Sequence, residues 1–142
     1  MSLKRNQSGF TLLEIIIVII IVGVLASLAL PRLFSTVEFS RSAEALSAIA
    51  TIRSSMERCY LANNGSYVNC GNTNFTQLDI DSPASSPNAH FAYVISGPST
   101  VGYTITATRN ALDNGNTTST IVVVQNATVV TRTGTGAFSG LK

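Results

Sequence analysis

Twenty-one consecutive residues, Phe10 to Leu30 (FTLLEIIIVIIIVGVLASLAL), carry one ionisable side chain, Glu14. At about 1.5 Å per residue, a helix of that length just crosses the roughly 30 Å hydrocarbon core of a bilayer. Ahead of it, Met1 to Gly9 (MSLKRNQSG) is short, polar and basic through Lys4 and Arg5. Two features constrain what the chain does: a carboxylate near the start of an apolar span, and a polar leader that stops abruptly at glycine. In an ordinary secretory signal the cleavage site follows the apolar run. Here the polar-to-apolar junction, Gly9/Phe10, precedes it, so a cut there leaves the hydrophobic stretch on the mature protein. The alternative, a conventional cut near Ala26 to Ala29 (Ala-Ser-Leu-Ala), leaves Glu14 without a purpose.

The run Gly9-Phe10-Thr11-Leu12-Leu13-Glu14 resembles the processing site of type IV pilins and of the pseudopilins of type II secretion: glycine, a methylatable hydrophobic residue, then T-L-x-E. The resemblance covers about the first 30 residues. It implies that a prepilin peptidase cuts after Gly9 and N-methylates Phe10. It also implies assembly by a cytoplasmic ATPase and a membrane platform protein. Pilins have a glycine and a proline at places matching Gly23 and Pro31, and the helix between them loosens inside filaments. Proline kinks or ends a helix, and glycine lowers helix preference, so a simple kink at the membrane exit is a compatible reading.

A lone carboxylate inside a transmembrane helix costs about 2.5 to 3.5 kcal/mol on insertion scales and asks for a partner. Cutting at Gly9 creates one, the α-amino group of Phe10, which stays basic when methylated. The expectation is that Glu14 and the Phe10 amine of a neighbouring subunit neutralise each other in the apolar core of a filament. Because breaking one side of a buried pair costs more than the pair's net worth, the contact acts as a register key. The competing reading leaves Glu14 at headgroup depth, solvated or paired to its own amine.

The precursor's formal charge of +2 comes from the leader: without Lys4 and Arg5, seven Lys and Arg face seven Asp and Glu. A near-neutral mature chain gives no strong nucleic-acid signal. Lys4 and Arg5 keep the leader cytoplasmic by the positive-inside tendency and send the rest outward. The segments expected are a leader at 1–9, a membrane or filament-core helix at 10–31, and a head at 32–142.

From Arg32 to Ala62 the pattern turns amphipathic: Val37, Ala45, Leu46, Ile49, Ile52, Met56 and Tyr60 recur mostly three or four apart. Asn63-Asn64-Gly65 is a C-terminal stop. The pattern predicts one long, kinked helix over residues 10–62, about 80 Å at the standard rise. Cys59 and Cys70 are the two cysteines. Outside the cytoplasmic membrane they read as a disulfide, worth on the order of 2 to 3 kcal/mol for so short a loop. This departs from pilins whose disulfide brackets a C-terminal loop, since no cysteine follows Cys70.

Residues 66–88 read as a connector with one helical turn near Phe75 to Leu78. Three β-branched or aromatic runs follow, Phe91–Ser96, Tyr103–Thr108 and Ile121–Gln125, bounded by Gly, Pro, Asn and Asp. A fourth strand is expected at Thr128–Thr131 after an Asn126-Ala127 turn, and Gly134 to Gly140 reads as a flexible tail. The fold class is therefore α+β, type IV pilin-like, with a long helix packed on an antiparallel sheet of three or four strands.

No catalytic motif, phosphate loop or zinc spacing is present in the sequence. His90, the one histidine, reads as a surface or strand-edge residue. Asp79 and Asp81 have oxygen ligands suited to Ca²⁺. The calcium loop of major pseudopilins lies near the C-terminus, however, where no acidic cluster matches, so no metal or cofactor is expected. The expected function is structural: a homopolymeric filament subunit of a type IV pilus, serving adhesion, motility or DNA uptake. It is stored in the inner membrane lipid with its N-terminus cytoplasmic, and after assembly lies in an extracellular pilus or periplasmic pseudopilus. Alternatives are a type II secretion pseudopilin, a minor pilin, or an anchored periplasmic binding module that never polymerises. An enzyme is not expected.

Overall fold

The computed structural model describes residues 9–71 and 75–141; most of the leader, with Lys4 and Arg5, lies outside them. A single helix, α1, spans Leu12–Ala62, 51 residues, and is continuous through Gly23 and Pro31. Pro31 has no N–H to donate to the turn before it. In that turn the Ser27 hydroxyl donates to the Val24 carbonyl at 2.7 Å. The chain divides into two units, Met1–Thr36 and Val37–Lys142.

In the first unit every described residue is exposed, from Gly9 to Thr36. In the second, four strands form a sheet in the order β1-β2-β3-β4: β1 Phe91–Ser96, β2 Tyr103–Arg109, β3 Thr120–Gln125 and β4 Val130–Gly134. All neighbours are antiparallel, with Phe91 opposite Arg109, Tyr103 opposite Gln125 and Ile121 opposite Gly134. The first strand alternates buried and exposed residues, the pattern of a sheet with one face on a core. Phe91, Tyr93 and Ile95, then Tyr103, Ile105 and Ala107, then Ile121 and Val123 meet Ala45, Ile49, Ile52 and Met56 of α1 in one buried cluster. Of the expected helical stripe, Leu46 and Tyr60 are partly buried. Val37 is exposed.

The helix ends as its sequence dictates. Asn64 and Gly65 adopt left-handed backbone, φ 54° and 80°, and Gly65 N donates to the Tyr60 carbonyl at 3.0 Å. The disulfide Cys59–Cys70 then ties the helix end to the connector. Three expectations shift. Phe75 to Leu78 forms a hydrogen-bonded turn, Leu78 N to Phe75 O at 3.0 Å, while the short 3-10 turn lies later, at Pro83–Ser85. The fourth strand starts at Val130 because Asn126 N bonds to Val129 O, closing the hairpin two residues further on. The expected flexible tail is structured. Gly136–Phe138 forms a 3-10 turn, Phe138 is fully buried beside Phe91 at a ring separation of 5.6 Å, and Ala137 N donates to the Ser119 hydroxyl at 3.1 Å.

Candidate assembly site and the braced head

The start of α1 is organised by two side chains of the processing motif. Thr11 precedes the first helical residue, and its hydroxyl accepts from Glu14 N at 3.2 Å. The Glu14 carboxylate reaches back, accepting from Thr11 N at 2.7 Å and from the Thr11 hydroxyl at 3.0 Å through Oε2. This is a reciprocal capping box, which satisfies two of the four N–H groups that every helix start leaves without an intrahelical partner. The motif residues Thr11 and Glu14 thus stand at the spacing that caps a helix. The T-x-x-E spacing of Thr11 and Glu14 is itself the sequence signature of such a cap. Oε1 of Glu14 takes no part in the box.

Around this cap the apolar side chains face outward: Phe10 is 83 % exposed, and Leu12, Ile19, Leu25 and Leu28 are each at least 60 % exposed. The helix is long and apolar enough to cross a membrane by length and composition. A contiguous apolar surface on this scale marks a site for lipid or for other protein. Gly9 and Phe10, the expected processing pair, adjoin the cap. Gly23 and Pro31 lie along the same exposed stretch.

The head is built differently, around committed charges. Arg109 ends β2 at an inward position and is 1 % exposed. Its Nε donates to Glu38 Oε1 at 2.6 Å. Its Nη1 and Nη2 donate to the carbonyls of His90, Asn110 and Leu112 at 3.2, 3.0 and 2.9 Å. Gly115 is required beside it, since a Cβ there would stand 2.4 Å from the guanidinium carbon. The period-2 alternation Tyr103, Ile105, Ala107, Arg109 was the signal that this arginine points inward.

His90 is more than a strand-edge residue. Its Nδ1 lies 2.8 Å from Glu44 Oε2, and its Nε2 lies 3.0 Å from Asp113 Oδ2. Asp113 also accepts from Arg41 at 2.7 Å. Asp113 reaches both because its backbone is left-handed, φ 52°, a conformation Asp tolerates better than most residues. Hydrogen bonds from His90 and then Arg41 hold its carboxyl below the usual carboxylate range. At the other end of the head, Asp79 accepts from Arg58 Nε and Nη2 at 2.6 and 2.8 Å, and from the Ser55 hydroxyl. These bonds, Arg58 first, hold it well below the usual range. Asp79 is therefore an anchor of the connector to α1. Among the described residues, no three His, Cys, Asp or Glu side chains gather as a metal site.

Tyr60, Tyr67 and Tyr103 pack in sequence, the first pair tilted and the second edge-to-face, with centroids 4.5 and 4.8 Å apart. The Tyr67 hydroxyl donates to Glu57 at 2.8 Å. Burial, then that hydrogen bond, push the Tyr67 phenol well above its usual range, and burial does the same to Tyr93.

A long N-terminal helix with an unburied apolar half, a capped T-x-x-E start and a four-stranded antiparallel sheet define a pilin-type protein. The family model described as "Type IV minor pilin ComP, DNA uptake sequence receptor" matches residues 31–120, and the chain belongs to that family. The prokaryotic N-terminal methylation motif matches residues 4–30. The chain is also similar to type II secretion system core protein G of Aeromonas hydrophila, 44 % identical over 61 residues, 43 % of each chain. The core protein G of Dickeya chrysanthemi is 44 % identical over 62 residues, 44 % of this chain and 40 % of that one. The type IV major fimbrial protein FimA of Dichelobacter nodosus is 36 % identical over 59 residues, 42 % of this chain and 38 % of that one. The chain thus spans less than half the length of these curated relatives.

Proposed function

We propose that this chain is a minor pilin, a structural subunit that enters a type IV pilus through its N-terminal helix and carries no enzymatic activity. The observation that carries the reading is the capped, wholly exposed first stretch of α1, from Leu12 to Thr36, with Phe10 exposed ahead of it. That surface needs lipid before assembly and sister helices after it. In this reading prepilin peptidase cuts between Gly9 and Phe10 and methylates the new amine. An assembly ATPase and a platform protein then extract the subunit from the inner membrane, where its N-terminus is cytoplasmic. Glu14 serves twice: Oε2 caps its own helix, and Oε1 receives the Phe10 ammonium of a neighbour. The Gly23 to Pro31 segment supplies the helix flexibility that packing in a filament requires. Membership of the minor pilin family over residues 31–120 favours this reading over a secretion pseudopilin, whose members match under half the chain. Mass spectrometry of the protein from its native host tests it. The expected result is loss of nine residues and one added methyl on Phe10; an intact Met1 refutes it.

A second reading, reception of DNA during uptake, is favoured by the description of the family itself. Arg41, Arg58 and Arg109 are already bonded to carboxylates, so any DNA contact draws on other groups. Anisotropy of a labelled duplex with the full chain in micelles at physiological salt tests it, and an unchanged signal removes it.

A further inference from the structure

Where α1 ends, four segments of the head meet around a small cavity. Glu57 and Tyr60 come from α1, Tyr67 from the connector, Val101 from the β1–β2 loop, and Gln125 and Asn126 from the end of β3 and its hairpin. Together they bound about 270 Å³. That is just under the roughly 300–1,000 Å³ of drug-sized ligand sites, so the space suits one small ring. Binding residues gather on loops held by a rigid scaffold, and this is such a place.

The walls are fixed by the fold. Tyr67 N donates to the Ser99 carbonyl at 3.0 Å, joining the connector to the β1–β2 loop. Ser99 N donates to Gly102 O at 2.8 Å and Asn126 N to Val129 O at 2.9 Å, closing the two loops that carry Val101 and Asn126. Gly102 is required, since a Cβ there would stand 2.1 Å from the Gln125 carbonyl oxygen. The disulfide holds Cys59, the neighbour of Tyr60, against Cys70. Glu57, Val101, Asn126 and Ala127 are exposed, so the cavity opens to solvent on their side.

Charge selects the class of ligand. Among the described residues no Lys, Arg or His lines the cavity, so a phosphate finds no counter-charge there. The one carboxylate, Glu57, lies four positions beyond Arg53 on α1, a spacing that makes the two neighbours. They act on the Tyr103 phenol with opposite sign, and Arg53 Nη2 also reaches Gln125 Oε1 at 3.4 Å. The negative charge is thus balanced from behind the wall, which weakens the pull on a cation. Glu57 remains a hydrogen-bond acceptor, oriented by the Tyr67 hydroxyl at 2.8 Å. The half-buried Tyr60 ring, tilted 34° to Tyr67, adds an apolar wall. A neutral ring with hydroxyls at its edge and C–H groups on its faces matches both features.

We propose that this cavity holds one neutral hexopyranose unit of a glycan chain. Its C–H face lies on Tyr60, its hydroxyls bond to Glu57 and Asn126, and the rest of the glycan leaves past Val101 and Ala127. The cavity lies wholly in the head, so its occupancy depends neither on polymerisation nor on DNA.

The test titrates the ¹⁵N-labelled full chain, in micelles of a polyoxyethylene detergent that carries no sugar, with the methyl glycosides of glucose, galactose, mannose and N-acetylglucosamine. At least one is expected to shift the amides of Tyr67, Val101, Asn126 and Ala127 along a single saturable curve, with Kd on the order of 1 mM. Affinity for it is expected to fall about tenfold with Glu57→Gln, which keeps an acceptor for Tyr67 but loses the stronger charge-assisted bond, and about tenfold with Tyr60→Leu. Unchanged core resonances of Ile105 and Val123 verify that each variant folds, and Glu57→Gln decides alone if Tyr60→Leu does not. Tetramethylammonium and inorganic phosphate are expected to leave the four amides unmoved. No shift with any of the glycosides, undiminished affinity in Glu57→Gln, or a response to the free reducing sugars alone overturns the proposal. Saturable binding of tetramethylammonium or phosphate at the same amides overturns it too.

Discussion

The two halves of α1 solve opposite problems with one secondary structure. From Phe10 to Thr36 no side chain is buried, and the residues are mostly branched aliphatics. From Val37 to Ala62 the same helix buries Ala45, Ile49, Ile52 and Met56 completely or nearly so against a sheet of its own chain. The first half holds apolar surface in reserve for other molecules. The second completes a core that needs no partner. The difference teaches that helix length here is decided by local hydrogen bonding and capping, whereas burial is decided by what the chain folds back upon. Substitutions in the first half should therefore alter assembly without altering stability, and those in the second should do the reverse.

The sharpest way to break that division is Glu14→Gln. Glutamine still accepts a hydrogen bond from Thr11 N, so the capping box survives while the charge is lost. Filaments recovered from the native host are expected to fall at least about tenfold, while the melting temperature of the head stays unchanged. Wild-type filament levels in Glu14→Gln would leave Glu14 a cap and nothing more. Within the head, Glu38→Ala strands the Arg109 guanidinium without its carboxylate. Chemical denaturation is expected to register a loss of about 3–5 kcal/mol, with membrane insertion unaffected. Cys59→Ser with Cys70→Ser opens the clasp at the helix end and costs roughly 3 kcal/mol, measured the same way under oxidising conditions.

The smallest effect comes from acid. Asp79 and Asp113 have folded-state values below their ordinary 3.8. Groups shifted this way stabilise the fold fully above the unfolded value, and that contribution is withdrawn as pH falls through the folded one. Both carboxylates are more than half exposed, so the loss is modest. Circular dichroism is expected to show a flat stability plateau from neutral pH down to about pH 4, with loosening only below it. A loss of stability already complete above pH 5 would deny these two residues their bracing role.

Much of this was legible before any coordinates. Alternating β-branched and aromatic residues located β1, β2 and β3 within one residue at either end, because a half-buried strand leaves a period of two. Asn64-Gly65 marked the helix end because few other residues accept its left-handed backbone. The position of β4 slipped because the Asn126–Val129 hydrogen bond sets a longer hairpin than the Asn-Ala pair suggested. Phe138 lay in a run of Gly, Thr and Ser that reads as mobile. Its burial depends on the Phe91 ring it packs against and on Ser119, which holds the neighbouring Ala137 N–H, both distant in the chain.

What the sequence determined by itself is whatever rests on neighbours a few residues apart: the apolar span, the Thr11–Glu14 cap, the helix stop and the strand alternation. What only the tertiary structure decided is which charges meet, as in Glu38 with Arg109, His90 between Glu44 and Asp113, and Asp79 with Arg58. It likewise decided that β4 stands at one end of the strand order among the described residues. Those pairings join residues from 21 to 71 positions apart. No local periodicity encodes them, since each depends on the one register in which the sheet packs on the helix.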